Sequence, residues 1–231
     1  MGTSWAEVIV DYGLTKINDI RLTEEMEANP ALFFRKMSLY MKNAIPRFSR
    51  PAEEQEWLRC VEPVYDSFEY QAKGMDGETV ETGKLEFEVF GAAVIGRDKF
   101  ENPVAVPLEG CRYDALTGRV TLPSGIDSYT RISMDFYTDG TFHRELSMEE
   151  KNILGMCIQL VWEGRFAGDW LSRVPKVKDK SSDMGSEANR TRADTERLRF
   201  LTSELNDTMI RYAQNLAYRN VVPRNQHFRR R

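Results

Sequence analysis

Hydrophobic residues along this chain change their spacing twice, and that double change limits the folds open to it. Up to about Arg59 they recur at three and four, from Cys60 to Phe142 they alternate at two, and beyond that they return to three and four. Two helical zones flanking a strand zone imply an α+β body. The simplest form is a helix bundle formed by the N- and C-terminal segments, with an antiparallel β-sandwich or small barrel inserted between them. The expected parts are an N-terminal helical part (1–59), an inserted β domain (60–142), a C-terminal helical part completing the bundle (143–219) and a basic C-terminal arm (220–231).

Local signals fill in these parts. Asn29-Pro30 is an N-cap followed by proline at the first helical position, and Leu32, Phe33, Met37, Tyr40, Met41, Ala44 and Ile45 form one stripe that should end near Pro46. Ser4 can cap a short turn through Trp5, Val8 and Ile9, and Thr23-Glu24-Glu25-Met26-Glu27 places acids where a helix start favours them. In the middle zone Leu85–Val89 and Thr130–Phe136 alternate strictly, as strands with one buried face do. Tyr113–Val120 reads as a hairpin whose Gly118 supplies positive φ. Ser147-Met148-Glu149-Glu150 is a capping box, followed by Ile153, Leu154, Cys157, Leu160 and Val161, then Phe166 and Trp170. After a polar connection over 176–186, Leu198, Leu201, Leu205, Met209, Tyr212 and Leu216 form a narrow seam, about 28 Å long at the helical rise. Such a seam suits a bundle or an identical neighbour, and Leu198, Leu201 and Leu205 are the expected subunit interface.

Composition closes off several functions. The 231 residues carry 32 basic and 36 acidic side chains, so the formal charge of −4 excludes a general polycation. No run approaches a membrane span, and the first residues lack a signal-peptide pattern, so a soluble, unsecreted chain is expected. Cys60, Cys111 and Cys157 are odd in number and far apart, fitting isolated thiols rather than a disulfide framework or metal knuckle. With only His143 and His227, a two-histidine metal site needs an improbable fold-back. Nucleophile-elbow, phosphate-loop, dinucleotide and Cys-x-x-Cys patterns are absent.

The remaining polar clusters have plain readings. Glu86 and Glu88, about 7 Å apart on a strand, match a glycosidase spacing but alternate with apolar residues as a solvated face does. Asp135 and Asp139-Gly140 contain only part of a calcium loop. Phe33-Phe34-Arg35-Lys36 could stack bases, yet Phe33 continues the apolar stripe. The last residues differ: Val221, Val222, Arg224, Phe228, Arg229, Arg230 and Arg231 combine apolar anchors with four arginines and no acid, and Pro223 should end the preceding helix. The plain alternative is a frayed terminus.

The opening Pro30-Ala31-Leu32-Phe33-Phe34-Arg35, closing with Ala44-Ile45-Pro46-Arg47-Phe48, resembles the start of head-to-tail connector (adaptor or neck) proteins of tailed bacteriophages. The capped helix from Leu146, Trp162 on that helix, the polar connection around 177–181 and the Ser186–Arg190 entry to the last helix follow the order usual in such adaptors. The resemblance covers roughly 29–48 and 135–220 and rests on order more than on any single motif. It implies a non-enzymatic virion protein, made in the host cytoplasm and sited in the neck. Such subunits form a ring, commonly dodecameric, that binds the portal protein and a neck or tail completion protein and lets double-stranded DNA pass without specific binding. It implies no cofactor, metal or membrane. The segment Val221–Arg231 then becomes the portal-binding arm. The β insertion departs from the mostly helical adaptors. A β-sandwich binding module for a glycan or protein, displayed by a helical stalk, is the rival reading, and an enzyme using Glu86 or Asp135 ranks last.

Overall fold

The computed structural model describes residues 2–51, 58–92, 96–104, 106, 108–173 and 184–225, with backbone alone for 92, 108, 166–173, 184–191 and 220–225. The described residues form both helices and antiparallel sheets, so the fold is α+β, and among them no sheet closes into a barrel.

The N-terminal segment begins with α1 (Trp5–Glu7), capped by the Ser4 hydroxyl, which accepts from the Glu7 amide at 3.1 Å. A π-helical turn (Val8–Leu14) and α2 (Thr15–Ile17) follow, and Asn18 stops the run in the left-handed region at φ 51°. Next comes α3 (Ile20–Ala28), which starts earlier than its acids suggested. The Asp19 carboxylate accepts from the Arg21 amide and opens the helix there, which puts Thr23–Glu27 inside it. The proline-led helix α4 (Pro30–Ala44) has Asn29 as its cap, with Oδ1 accepting from the Leu32 amide at 3.0 Å, and it gives way to a 3-10 turn over Ile45–Arg47. The long C-terminal helices are α5 (Met148–Arg173) and α6 (Met184–Asn225).

These helices bury one core. Val8, Ile9, Phe33, Met37, Met41, Ile153, Leu154 and Cys157 meet Leu205, Met209 and Tyr212 in it. Close approach of α5 to the π-helical turn depends on Gly155, where an added Cβ would lie 2.6 Å from the Tyr12 carbonyl oxygen. Across α4 and α5, Arg165 lies 3.7 Å from the Trp162 ring centroid and donates to the Tyr40 hydroxyl at 2.7 Å.

Among the described residues, ten strands lie between the helical halves. β1 (Cys60–Val61) pairs with β10 (Thr141–Phe142). β2 (Val64–Gln71), β4 (Val89–Ala92), β5 (Gly96–Arg97), β6 (Pro103–Val104) and β9 (Arg131–Thr138) form a five-stranded antiparallel sheet. β3 (Thr79–Glu81), β8 (Arg119–Thr121) and β7 (Arg112–Asp114) form a three-stranded one. In β9, Ile132, Met134 and Phe136 point into the core that the two sheets share, while Tyr137 joins the helical core. The larger sheet is therefore covered on both faces, which sets three layers: small sheet, large sheet, helices.

One expected strand is not formed as such. Leu85–Glu88 is irregular, Glu86 has φ 61°, and the strand begins only at Val89. The Glu86 amide donates to Ala115 O at 3.0 Å and the Tyr113 hydroxyl to Lys84 O at 2.5 Å, so this stretch braces the β7–β8 turn instead of running in a ladder.

Candidate functional site

The sequence placed function on the last helix and the segment beyond it, and the geometry there begins at Glu150. This carboxylate is buried at the start of α5. The capping box forms in both directions: the Glu150 amide donates to Ser147 Oγ at 3.3 Å, and the Ser147 amide to Glu150 Oε2 at 2.6 Å. Arg144 grips both carboxylate oxygens, at 2.6 and 3.1 Å, and the Tyr212 hydroxyl donates to Oε1 at 2.7 Å. Burial by itself raises the carboxyl, but these bonds from Arg144, Tyr212 and Ser147 outweigh it and hold the pKa at about 2. The hub locks the middle of α6 to the start of α5. Arg197 to Glu163, at 2.7 Å, adds a second tie.

This locking changes the role of the leucine seam. Leu205 is buried in the chain's own core with Met209 and Tyr212, and Leu198, Leu201 and Leu216 pack partly against it. Of the three residues expected to face an identical neighbour, Leu205 is used within the chain's own core, while Leu198 and Leu201 are only partly covered by it. The opposite face of α6 remains open, with Phe200 and Tyr218 exposed. Helix α6 also does not stop before Pro223. It runs through Val221, Val222 and Arg224 to Asn225, because proline's ring removes one donor without forbidding continuation where packing or the preceding turns sustain the helix. Phe228, Arg229, Arg230 and Arg231 lie outside the described residues, as do His227 and most of the polar connection.

The carboxylates considered for catalysis have structural partners. Asp135 is buried between α4 and the large sheet, where Oδ2 accepts from Asn29 Nδ2 at 3.0 Å and Oδ1 from the Tyr65 hydroxyl at 2.5 Å. Burial, helped by Asp135, pushes the Tyr65 hydroxyl up to about 12, and the Arg35 guanidinium sits 4.1 Å from its ring centroid. Asn29 thus caps α4 with one amide atom and ties it to β9 with the other. Gly91 leaves room for this, since a Cβ there would fall 2.3 Å from Asn29 Oδ1. Glu86 and Glu88 do not share a strand face. Asp139 accepts the Ala6 amide with both oxygens, at 3.1 and 3.2 Å, and burial raises its carboxyl. Among the described residues no three His, Cys, Asp or Glu side chains gather as a metal site. Burial pushes the Cys157 thiol up to about 12, which leaves it protonated and unreactive at neutral pH.

A feature that the sequence did not single out is a groove between α3 and α4, of about 660 Å³, lined by Ala28, Leu32, Phe33, Leu39, Arg35 and the ion pair Lys36–Glu25 at 2.5 Å. Leu32 reads as part of the core stripe in sequence, yet it is 48% exposed, and Leu39, seven residues on, is 58% exposed. Leu32 and Leu39 share one helix face, turned away from the buried Phe33, Met37, Met41 and Ala44, and that seven-residue spacing is the sequence signal that could have marked it. No described helix is long and apolar enough to cross a membrane. Compared with known proteins, the chain matches no family model and no curated protein.

Proposed function

We propose that this chain is a non-enzymatic virion protein, a head-to-tail connector that joins the portal to the neck or tail of a tailed bacteriophage and continues its DNA channel. The observation that carries the reading is α6. Its 42 residues correspond to about 63 Å of helix at 1.5 Å per residue. It is clamped at its middle by the Glu150 hub and the leucine seam, and its far end leads into the arginine-rich segment. A long helix held rigidly at its centre is a fitting lever for presenting a terminal arm to a neighbouring ring. The order of capped helices that carries the family resemblance is supported by α4 and α5 with their caps and by the packing of α5 on α6.

On this reading the basic arm at Val221, Val222, Arg224, Phe228 and Arg229–Arg231 meets the portal, where arginines make charge-assisted contacts and the apolar residues anchor. Identical subunits form the ring, and DNA passes through it without specific binding. The test compares the full chain with a form lacking 220–231, each mixed with the portal ring of the encoding phage and examined by co-sedimentation. The truncated form should stay folded and lose attachment; attachment equal to that of the full chain would refute the arm.

A further inference from the structure

Two apolar features find no partner within the described chain, one a projection and the other a hollow. Leu116, at the tip of the β7–β8 hairpin, is 88% exposed. Single exposed leucines are common, but this one is held out by a stiff turn. Asp114 Oδ1 accepts from the Leu116 amide at 3.0 Å, Oδ2 from the Thr117 hydroxyl at 2.6 Å, and the Asp114 carbonyl from the Gly118 amide at 2.8 Å. Gly118, at φ 64°, closes the turn, and Glu86 braces its other side through Ala115. A side chain fixed in this way loses little conformational freedom on docking.

The hollow is the α3–α4 groove. Its volume lies in the range of built recognition sites and exceeds a single leucine, so it suits a whole hairpin tip. The charges are complementary. Around Leu116, Arg119 is engaged by Glu81 at 2.7 Å and Lys84 by Asp66, while Asp114 and Glu86 are exposed and form no ion pair among the described residues. At the groove, Lys36 is likewise engaged by Glu25, while Arg35, exposed and lying over the Tyr65 ring, forms no ion pair among the described residues. An acid-flanked leucine therefore matches a leucine-floored groove with an unpaired arginine at its margin.

We propose that the Leu116 hairpin tip of one copy seats in the α3–α4 groove of the next. Because the two patches differ, the contact is head-to-tail, and it closes a ring when the rotation per subunit closes. The inference rests on the reading of this chain as a repeating subunit and assigns it a contact outside the leucine seam of α6. It also gives the β insertion a task, as the part of each subunit that reaches its neighbour.

The test uses the full chain with Cys60→Ser and Cys111→Ser, to which Leu116→Cys and Leu39→Cys are added together. A short bismaleimide on the concentrated protein should give a covalent ladder beyond dimer, because each copy carries both halves of the contact. Either single cysteine should stop at dimer, and Leu116→Asp should weaken association about tenfold or more by sedimentation, with an unchanged circular dichroism spectrum. A ladder no stronger than that of a control pairing Met75→Cys with Leu39→Cys overturns the proposal. Portal attachment separates it from the functional reading. If Leu116→Asp still binds portal in ring stoichiometry, this contact is wrong while the connector reading stands. If the ladder forms but the unmodified chain ignores portal, the contact is right and the connector reading fails.

Discussion

At the residue scale, Glu150 does most to fix the relation of the two long helices. Its folded pKa lies below that of an unfolded glutamate, so its stabilisation is complete above about pH 4.5 and is lost as pH falls toward about 2. Asp139 acts in the opposite sense, since its carboxyl is raised by burial and its protonation on acidification favours the fold. Comparing Glu150→Gln with the parent isolates the first effect. That variant should lose about 3 kcal/mol at pH 7 by urea unfolding, and the difference between the two should shrink across pH 4.5 to 2. The capping box was legible in Ser147-Met148-Glu149-Glu150 because all its partners lie within one turn. The Tyr212 contact was not, because nothing local links residues 62 positions apart. Asp135 shows the same limit: its carboxylate has no sequence mark that separates a buried clamp to Asn29 and Tyr65 from a catalytic acid.

At the scale of elements, hydrophobic period gave the sound expectations and missed wherever tertiary contacts overrode it. The strand over Thr130–Phe136 and the hairpin around Gly118 form as β9 and β7–β8, since alternation and a positive-φ glycine are local properties. Leu85–Val89 alternates just as strictly, but hydrogen bonds to the neighbouring hairpin draw it out of the ladder. Period also could not tell whether the α6 seam faces the chain's own core or a neighbour, because both present the same apolar stripe. The contact of α5 with the π-helical turn offers a sharp test. Gly155→Ala gains up to about 1 kcal/mol of helix propensity. Its methyl group meets the Tyr12 backbone at 2.6 and 2.8 Å, and that overpacking should cost more than the gain, for a net loss of about 1–2 kcal/mol in thermal or urea unfolding. A stabilised Gly155→Ala would show that α5 can retreat freely.

For the whole molecule, β9 contributes to both cores, with Ile132, Met134 and Phe136 on one side and Tyr137 on the other. The β insertion and the helices should therefore unfold together. Urea transitions followed by far-ultraviolet circular dichroism and by tryptophan fluorescence, to which Trp5 and Trp162 of the helical core contribute, should coincide; a separate early loss of strand signal would show an independent β unit and favour the displayed binding module. The α+β class, helices at both ends and strands between, was legible from the two changes of period. How the layers share β9 depends on surfaces that only the folded chain defines. Assembly at the portal is the most direct test of the proposed connector role. Electron microscopy of the purified chain mixed with the portal ring of its phage should show a second ring of identical subunits stacked coaxially on the portal, lost when residues 220–231 are removed. A portal that stays bare at saturating chain concentration would contradict it.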